Sequence, residues 1–321
     1  MTRVLVTPRS MSVGDNSALE RLRAAGLDVI CPSPGRQPTE EELRRELPGT
    51  AVWIAGVEPI GRDLLAAATD LRAICRNGAG VDAIDHHAAQ ERGIDVIPAR
   101  GANARGVAEL ALGLIIAGFR GLIPSASAVA AGRWERSVGR ELAGATLGVV
   151  GYGAIGRILG ALGRACDMHV VSHDPYLART GSQADDGTEL LELGALLDAA
   201  DAVSLHLPAL PDGPLIGARE VARMRTGAML VNTARSGLVD AEAVLAALDA
   251  GRLRGYAVDA FDVEPPPVTA LLRHPLVIAS PHLGAATAES IERASLAAVD
   301  NTLAVLGLSE STRAATGQPN R

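Results

Sequence analysis

The 321 residues carry 30 basic and 37 acidic side chains, for a net charge of −7, and 48% of them are hydrophobic while only 2% are aromatic. That length sets an expectation of about two domains, each long enough to bury a core. The acidic balance, with no stripe of basic and aromatic residues, removes nucleic acid from the expected partners.

Every basic residue is an arginine, and alanine supplies much of the apolar content, so the helices are expected to pack closely through small side chains. The N-terminal MTRVLVTPRS has too short an apolar stretch for a signal peptide. Residues 3–7 read as a strand, 17–26 as a helix, 28–31 as a strand, 40–47 as a helix and 51–55 as a strand. A helix over 62–68, a strand over 71–76, a helix over 81–92 and a strand over 94–97 complete a small open parallel sheet. Pro98 to Asn103 breaks this alternation and reads as a hinge, and Asn103 and Glu109 read as hinge groups at its far side.

One long apolar helix comes after the hinge, about Ala104 to Ala131, then a polar loop around Trp134. The most apolar part of that helix, Val107 to Phe119, holds Glu109 and is too short to span a bilayer, so no membrane partner is expected. A strand at 147–150, a helix at 154–166 and a strand at 168–172 come next. After Asp174 the pattern predicts a helical pair near 187–200, strands at 202–205, 229–232, 256–259 and 276–280, and helices near 217–224 and over 240–250. A last helix, about 286–306, is expected to return to the first domain, and the polar tail 309–321 to be frayed. Cys31, Cys75 and Cys166 are odd in number and without metal-ligand spacing; they read as reduced thiols of a cytoplasmic protein, and no metal site is expected.

The stretch TLGVVGYGAIGRILGALGRACDMHVVSHD, from Thr146 to Asp174, organises the chain. A buried-type strand runs into Gly151-Tyr152-Gly153-Ala154-Ile155-Gly156, then a helix, a second strand, and Asp174 at 18 residues beyond Gly156. This is the dinucleotide fingerprint in its required setting. Gly151 permits the tight turn, Gly153 lets backbone approach a pyrophosphate, and Gly156 lets the helix lie on the strand. The N–H groups at Ala154, Ile155 and Gly156 open the helix and suit a phosphate. Asp174 can accept both ribose hydroxyls and would repel a 2′-phosphate, which favours NAD over NADP.

Ligands of open parallel sheets sit at the carboxyl ends of the strands. Arg235 follows one strand, Asp259 ends the next, with Glu264 in its loop, and His282 follows the last. A guanidinium can hold a carboxylate and polarise the adjacent carbonyl, and an imidazole can exchange a hydroxyl proton while hydride moves to or from a nicotinamide. A glutamate beside that imidazole fixes its tautomer. The set suits interconversion of a 2-hydroxy acid and a 2-oxo acid. Singly, each of these residues has a bland alternative: a surface ion pair for Arg235, a satisfied structural histidine for His282, a solvated loop carboxylate for Glu264.

The motifs ELAGATLGVVGYGAIGR (141–157), SLHLP (204–208), VNTARSGLVD (231–240), VDAFDVEP (258–265) and SPHLGAAT (280–287) resemble the D-isomer-specific 2-hydroxyacid dehydrogenases, the phosphoglycerate dehydrogenase branch in particular. The resemblance implies an α/β fold of two Rossmann-like doubly wound parallel-sheet domains with a cleft between them. It implies a substrate domain of residues 1–98 plus about 288–308, an NAD-binding domain of 99–287 and a tail of 309–321. Arg235 would orient the substrate, His282 would be the acid–base group and Glu264 its partner. Asp259 would contact the nicotinamide carboxamide, with Thr233, Ala234, His206 and Gly284 beside the cofactor, and Asn77-Gly78-Ala79-Gly80 would present N–H groups to the substrate carboxylate. A homodimer is implied as well. The chain stops soon after its last helix, so no C-terminal regulatory domain is expected, and the 53–58 segment WIAGVE lacks an arginine that some phosphoglycerate-specific members carry there. Arg76, Arg100 and Arg105 are expected near the mouth of the cleft, either against a substrate phosphate or as solvated charges. An alternative on the same fold is an NAD(H)-sensing interaction protein of the corepressor type. A formate dehydrogenase is disfavoured, because those sites resemble this one with an amide in place of Glu264.

Overall fold

The computed structural model describes residues 1–14, 16–180, 184 and 186–308, so the expected tail at 309–321 lies outside the described residues. The chain divides into two compact units, one of residues 1–103 joined by the segment that begins at Ala288, the other of residues 104–287.

The first unit holds five strands, β1 (Arg3–Val6), β2 (Asp28–Ile30), β3 (Thr50–Ala55), β4 (Ala73–Arg76) and β5 (Asp95–Pro98). They pair in the order β2-β1-β3-β4-β5, all parallel. β3 is buried at all six positions, as a central strand covered on both faces must be. One face packs Leu5, Trp53, Leu64 and Ile74; the other packs Val4, Val6, Leu22 and Ile54 against Ala298, Val299 and Leu303 of the helix Ala288–Val305. Burial pushes the Cys75 thiol on β4 up to about 11, so it behaves as a small core hydrophobe rather than a nucleophile.

The second unit adds β6 (Thr146–Val150), β7 (His169–His173), β8 (Glu189–Leu190), β9 (Ala202–Leu205), β10 (Ala228–Asn232), β11 (Leu253–Val258) and β12 (Val277–Ala279). Their order is β12-β11-β10-β9-β6-β7-β8, all parallel, so the strand order reverses between β6 and β9, where a ligand crevice forms in doubly wound folds. Apolar clusters cover both faces. Small residues set the close spacing: a Cβ on Gly118 would stand 2.5 Å from Met229 Sδ.

Several expectations change. The expected single helix over 104–131 is two, Ala104–Arg120 and Leu122–Ala130, bent by 66°. Gly121 takes the left-handed conformation at φ 57°, which ends the first helix. Among the described residues no single helix is long and apolar enough to cross a membrane. The helix expected from 81 starts only at His86, because the Asp85 carboxylate accepts from Ala88 N–H at 2.8 Å and caps it there. In place of a helical pair near 187–200 stand the two-residue β8 and one helix, Leu193–Ala199. Short helices at Pro175–Thr180 and Ala270–Arg273 lie where the sequence pattern predicts none.

Candidate active site

Strand register aligns the site. Ala279 pairs with Val258, Val258 with Asn232, Asn232 with Leu205, Leu205 with Val150 and Val150 with His173. The residues that come directly after each member of this row, Ser280, Asp259, Thr233, His206, Gly151 and Asp174, therefore line one carboxyl edge of the sheet. Five strand spacings separate its ends, about 24 Å. Asp174 stands at one end, and the loops bearing Arg235, Glu264 and His282 rise from the other.

The glycine turn sits at mid-row, and each glycine has a separate reason. Gly151 has φ +94°, and a Cβ there would lie 2.7 Å from His206 O. A Cβ on Gly156 would lie 2.2 Å from Gly151 O, so only glycine lets the helix Ala154–Ala165 reach the strand. A Cβ on Gly153 would meet no protein atom within 4 Å. Nothing inside the protein asks for glycine at 153; the open space above it does. No side chain caps that helix, which leaves the N–H groups at Ala154 and Ile155 directed at the same space.

Asp174 is more occupied than its sequence position suggests. Its Oδ2 accepts from Tyr152 N–H at 2.7 Å, and its Oδ1 accepts from Tyr176 and Leu177 N–H at 2.9 and 3.1 Å, which starts the helix Pro175–Thr180. These bonds hold the carboxylate rigidly at the edge, and of its four acceptor sites one remains open, on Oδ2.

At the other end, His282 Nδ1 meets Glu264 Oε1 at 2.8 Å. That contact leaves Nε2 as the nitrogen available for proton exchange. The His282 backbone has φ +53°, a left-handed conformation uncommon outside glycine, and its N–H donates to Ser280 O at 2.9 Å. Asp259 fixes the loop: its buried carboxylate accepts from Ser280 Oγ at 2.5 Å, Leu283 N–H at 2.7 Å and Gly284 N–H at 2.8 Å. Expected as a nicotinamide contact, Asp259 is in this structure first a positioning group for the histidine. Gly284 follows from packing, since a Cβ there would stand 3.1 Å from both Asp259 Oδ2 and Val107 Cγ2.

Arg235 is half-buried at the end of a turn that Asn232 organises. The Asn232 amide donates to Arg235 O at 2.8 Å and accepts from Ala234 N–H at 3.1 Å, while Arg235 Nη1 donates to Ala234 O at 2.7 Å. Sequence reasoning misses Asn232 and Ser280, although Asn at a strand end before a turn and Ser after one are recognisable signals.

Two buried polar atoms on the row have no partner among the described residues: Thr233 Oγ1 and His206 Nδ1. His206 Nε2 meets Ser204 Oγ at 2.9 Å, and burial pushes its imidazole down to about 3, so it is a neutral hydrogen-bonding group at neutral pH. Unpaired buried polar atoms are costly, and these two, with the space above Gly153, fit a dinucleotide laid along the edge.

The loop Asn77 to Gly80 belongs to the first unit. The N–H groups of Asn77 and Gly78 are spent on Ala55 O and Arg76 O, both at 2.9 Å. Those of Ala79 and Gly80 have no acceptor among the described residues.

The family model for the D-isomer specific 2-hydroxyacid dehydrogenase, NAD binding domain, matches residues 112–284. The chain is 41% identical over 254 residues to an (S)-sulfolactate dehydrogenase of Chromohalobacter salexigens, covering 78% of this chain and 82% of that protein. It is 38% identical over 258 residues to a D-3-phosphoglycerate dehydrogenase of Methanocaldococcus jannaschii, covering 78% of this chain but spanning only 49% of that protein. A crystal structure of a Thermus thermophilus protein superposes with a TM-score of 0.83 at 35% identity, over 95% of this chain and 97% of that one.

Proposed function

Because the chain belongs to the D-isomer specific 2-hydroxyacid dehydrogenase family, a family of NAD-dependent oxidoreductases, we propose that it interconverts a D-2-hydroxy acid and its 2-oxo acid. The observation that carries this reading is the 2.8 Å contact between His282 Nδ1 and Glu264 Oε1, on the same carboxyl edge as Arg235 and the fingerprint turn. The same relatives do not favour a corepressor-type role.

The chemistry NAD supplies when bound is acceptance or donation of hydride at the nicotinamide C4. The chain's residues handle the rest. Gly153 and the N–H groups at Ala154 and Ile155 take the pyrophosphate, and Asp174 takes the adenosine ribose. Thr233 Oγ1 and His206 Nδ1 gain partners on the same ligand. Arg235 holds the substrate carboxylate and polarises the neighbouring carbonyl. His282 Nε2 gives its proton to the carbonyl oxygen in reduction and takes it back in oxidation, while Glu264 keeps the ring in the tautomer and orientation this needs.

We assign the protein to the cytoplasm, consistent with free thiols at Cys31, Cys75 and Cys166. We also assign it a homodimeric state through the second unit, where Leu122, Val129, Trp134 and Val138 are exposed, Val138 to 95%. Oxidation of NADH, followed by absorbance, is expected with at least one of glyoxylate, hydroxypyruvate, pyruvate and phosphohydroxypyruvate. Silence across the panel would contradict the proposal.

A further inference from the structure

Tyr152 is the one residue with a side chain in the turn from Gly151 to Gly153, and it is only 1% exposed. Its ring runs beneath the helix Ala154–Ala165. A Cβ on Gly160 would stand 2.6 Å from the Tyr152 hydroxyl oxygen, and the Arg157 guanidinium lies 5.7 Å from the ring centroid. The hydroxyl ends in a cluster of three further side chains. It meets Asp186 Oδ2 and Thr188 Oγ1, both at 2.7 Å, while Arg164 Nη1 donates to Thr188 Oγ1 at 2.8 Å and Arg164 Nη2 to Asp186 Oδ2 at 2.6 Å. Burial opposes the charge on Asp186, but the hydrogen bonds from Tyr152, Thr188 and Arg164 outweigh it and hold the carboxyl below its usual range. An ionised carboxylate only accepts, so the Tyr152 proton goes to Asp186, and the Thr188 hydroxyl donates to Tyr152.

The backbone of the same residue is tied at its other end, because the Tyr152 N–H donates to Asp174 Oδ2 at 2.7 Å. Tyr152 thus joins the turn after β6 to the end of β7 and to the segment that enters β8. The glycines on either side, Gly151 at φ +94° and Gly153 at φ −82°, have no side chain to anchor and give the turn little stiffness of their own. We propose that Tyr152 is a positioning residue for the dinucleotide: the cluster at its hydroxyl holds the glycine turn in the conformation that receives the pyrophosphate, and so sets the affinity for NADH. A turn fixed before the ligand arrives loses less conformational entropy on binding. A turn released at the hydroxyl end must be ordered at that step, and affinity falls accordingly.

This inference rests on the dinucleotide site and not on which acid is reduced, so it is read from binding rather than from turnover. NADH is titrated by fluorescence into the parent protein, Tyr152→Phe, Thr188→Val and the double variant, with thermal melts alongside. Tyr152→Phe keeps the buried ring, and Thr188→Val keeps the shape of a side chain that is itself buried. Each single variant is expected to raise the dissociation constant at least about threefold, the lower end for a lost hydrogen bond. The double variant should bind no more than about twofold more weakly than the weaker single, because both changes cut the same link. Lower melting temperatures with an unchanged dissociation constant in both single variants would reduce the cluster to a structural one and overturn the inference. Losses that multiply in the double variant would overturn it as well. If Tyr152→Phe does not fold, Thr188→Val carries the same test alone. A parent protein that binds no NADH would overturn the dinucleotide site along with the inference.

Discussion

Alanine in place of His282 is expected to lower kcat by about two to four orders of magnitude, the usual worth of a positioned general acid–base group, while NADH still binds. The reasoning is local. His282 Nδ1 is committed to Glu264 Oε1 at 2.8 Å, so Nε2 alone can exchange a proton with the substrate oxygen. The fingerprint turn that takes the phosphates lies on other strands and does not feel the change. Fluorescence titration with NADH separates binding from turnover, and an unchanged kcat would remove His282 from the chemistry. Glu264→Gln keeps an acceptor for the ring and loses only the charge, so its cost is expected to be smaller than that of His282→Ala. Stability should move little in His282→Ala, because the contact it removes is solvent-exposed, the side chains being 50% and 42% accessible.

Two glycines of the fingerprint turn should fail in opposite ways. In Gly156→Ala the new Cβ would stand 2.2 Å from Gly151 O and 3.0 Å from Val149 Cγ1, and backbone cannot yield as a flexible side chain does. The helix must back away from the strand, at a cost of about 1–3 kcal/mol in stability and with loss of the turn that binds the dinucleotide. In Gly153→Ala the Cβ meets nothing within 4 Å, and the residue has an ordinary φ of −82°. This variant should melt within a few degrees of the parent, yet bind NADH at least tenfold more weakly, because its methyl group fills the space left for the pyrophosphate. Thermal melts and NADH titrations of both variants check the pair. Normal NADH affinity in Gly153→Ala would mean that the pyrophosphate lies elsewhere.

The alternation of short β-branched runs with alanine-rich helices is enough to read two parallel sheets from the sequence, because both the period and the glycine punctuation are local signals. The row of strand ends is legible for the same reason: each functional residue lies within six residues after a recognisable strand. Readings fail where one local signal overrides a long periodic one. Gly121 interrupts an apolar run that otherwise has helical composition throughout, and only its left-handed backbone shows the break. Asp174 and Asp259 read in sequence as carboxylates for a ligand; that each also accepts three hydrogen bonds from the chain, through N–H groups and a hydroxyl, is something no spacing rule identifies. Glu58 looks in sequence like one more loop carboxylate; its burial depends on Thr7 and Trp53, whose convergence is a tertiary fact.

The central claim is that hydride passes between the nicotinamide C4 and the carbon bearing the substrate oxygen, at the edge where Arg235, Glu264 and His282 assemble. Samples of NADH deuterated at C4, one for each face, are to be incubated with the protein and an accepted 2-oxo acid, and the product read by proton NMR. The account predicts that one of the two delivers deuterium to C2 of a D-2-hydroxy acid and the other delivers none. A product with no deuterium at C2 from either sample would contradict it.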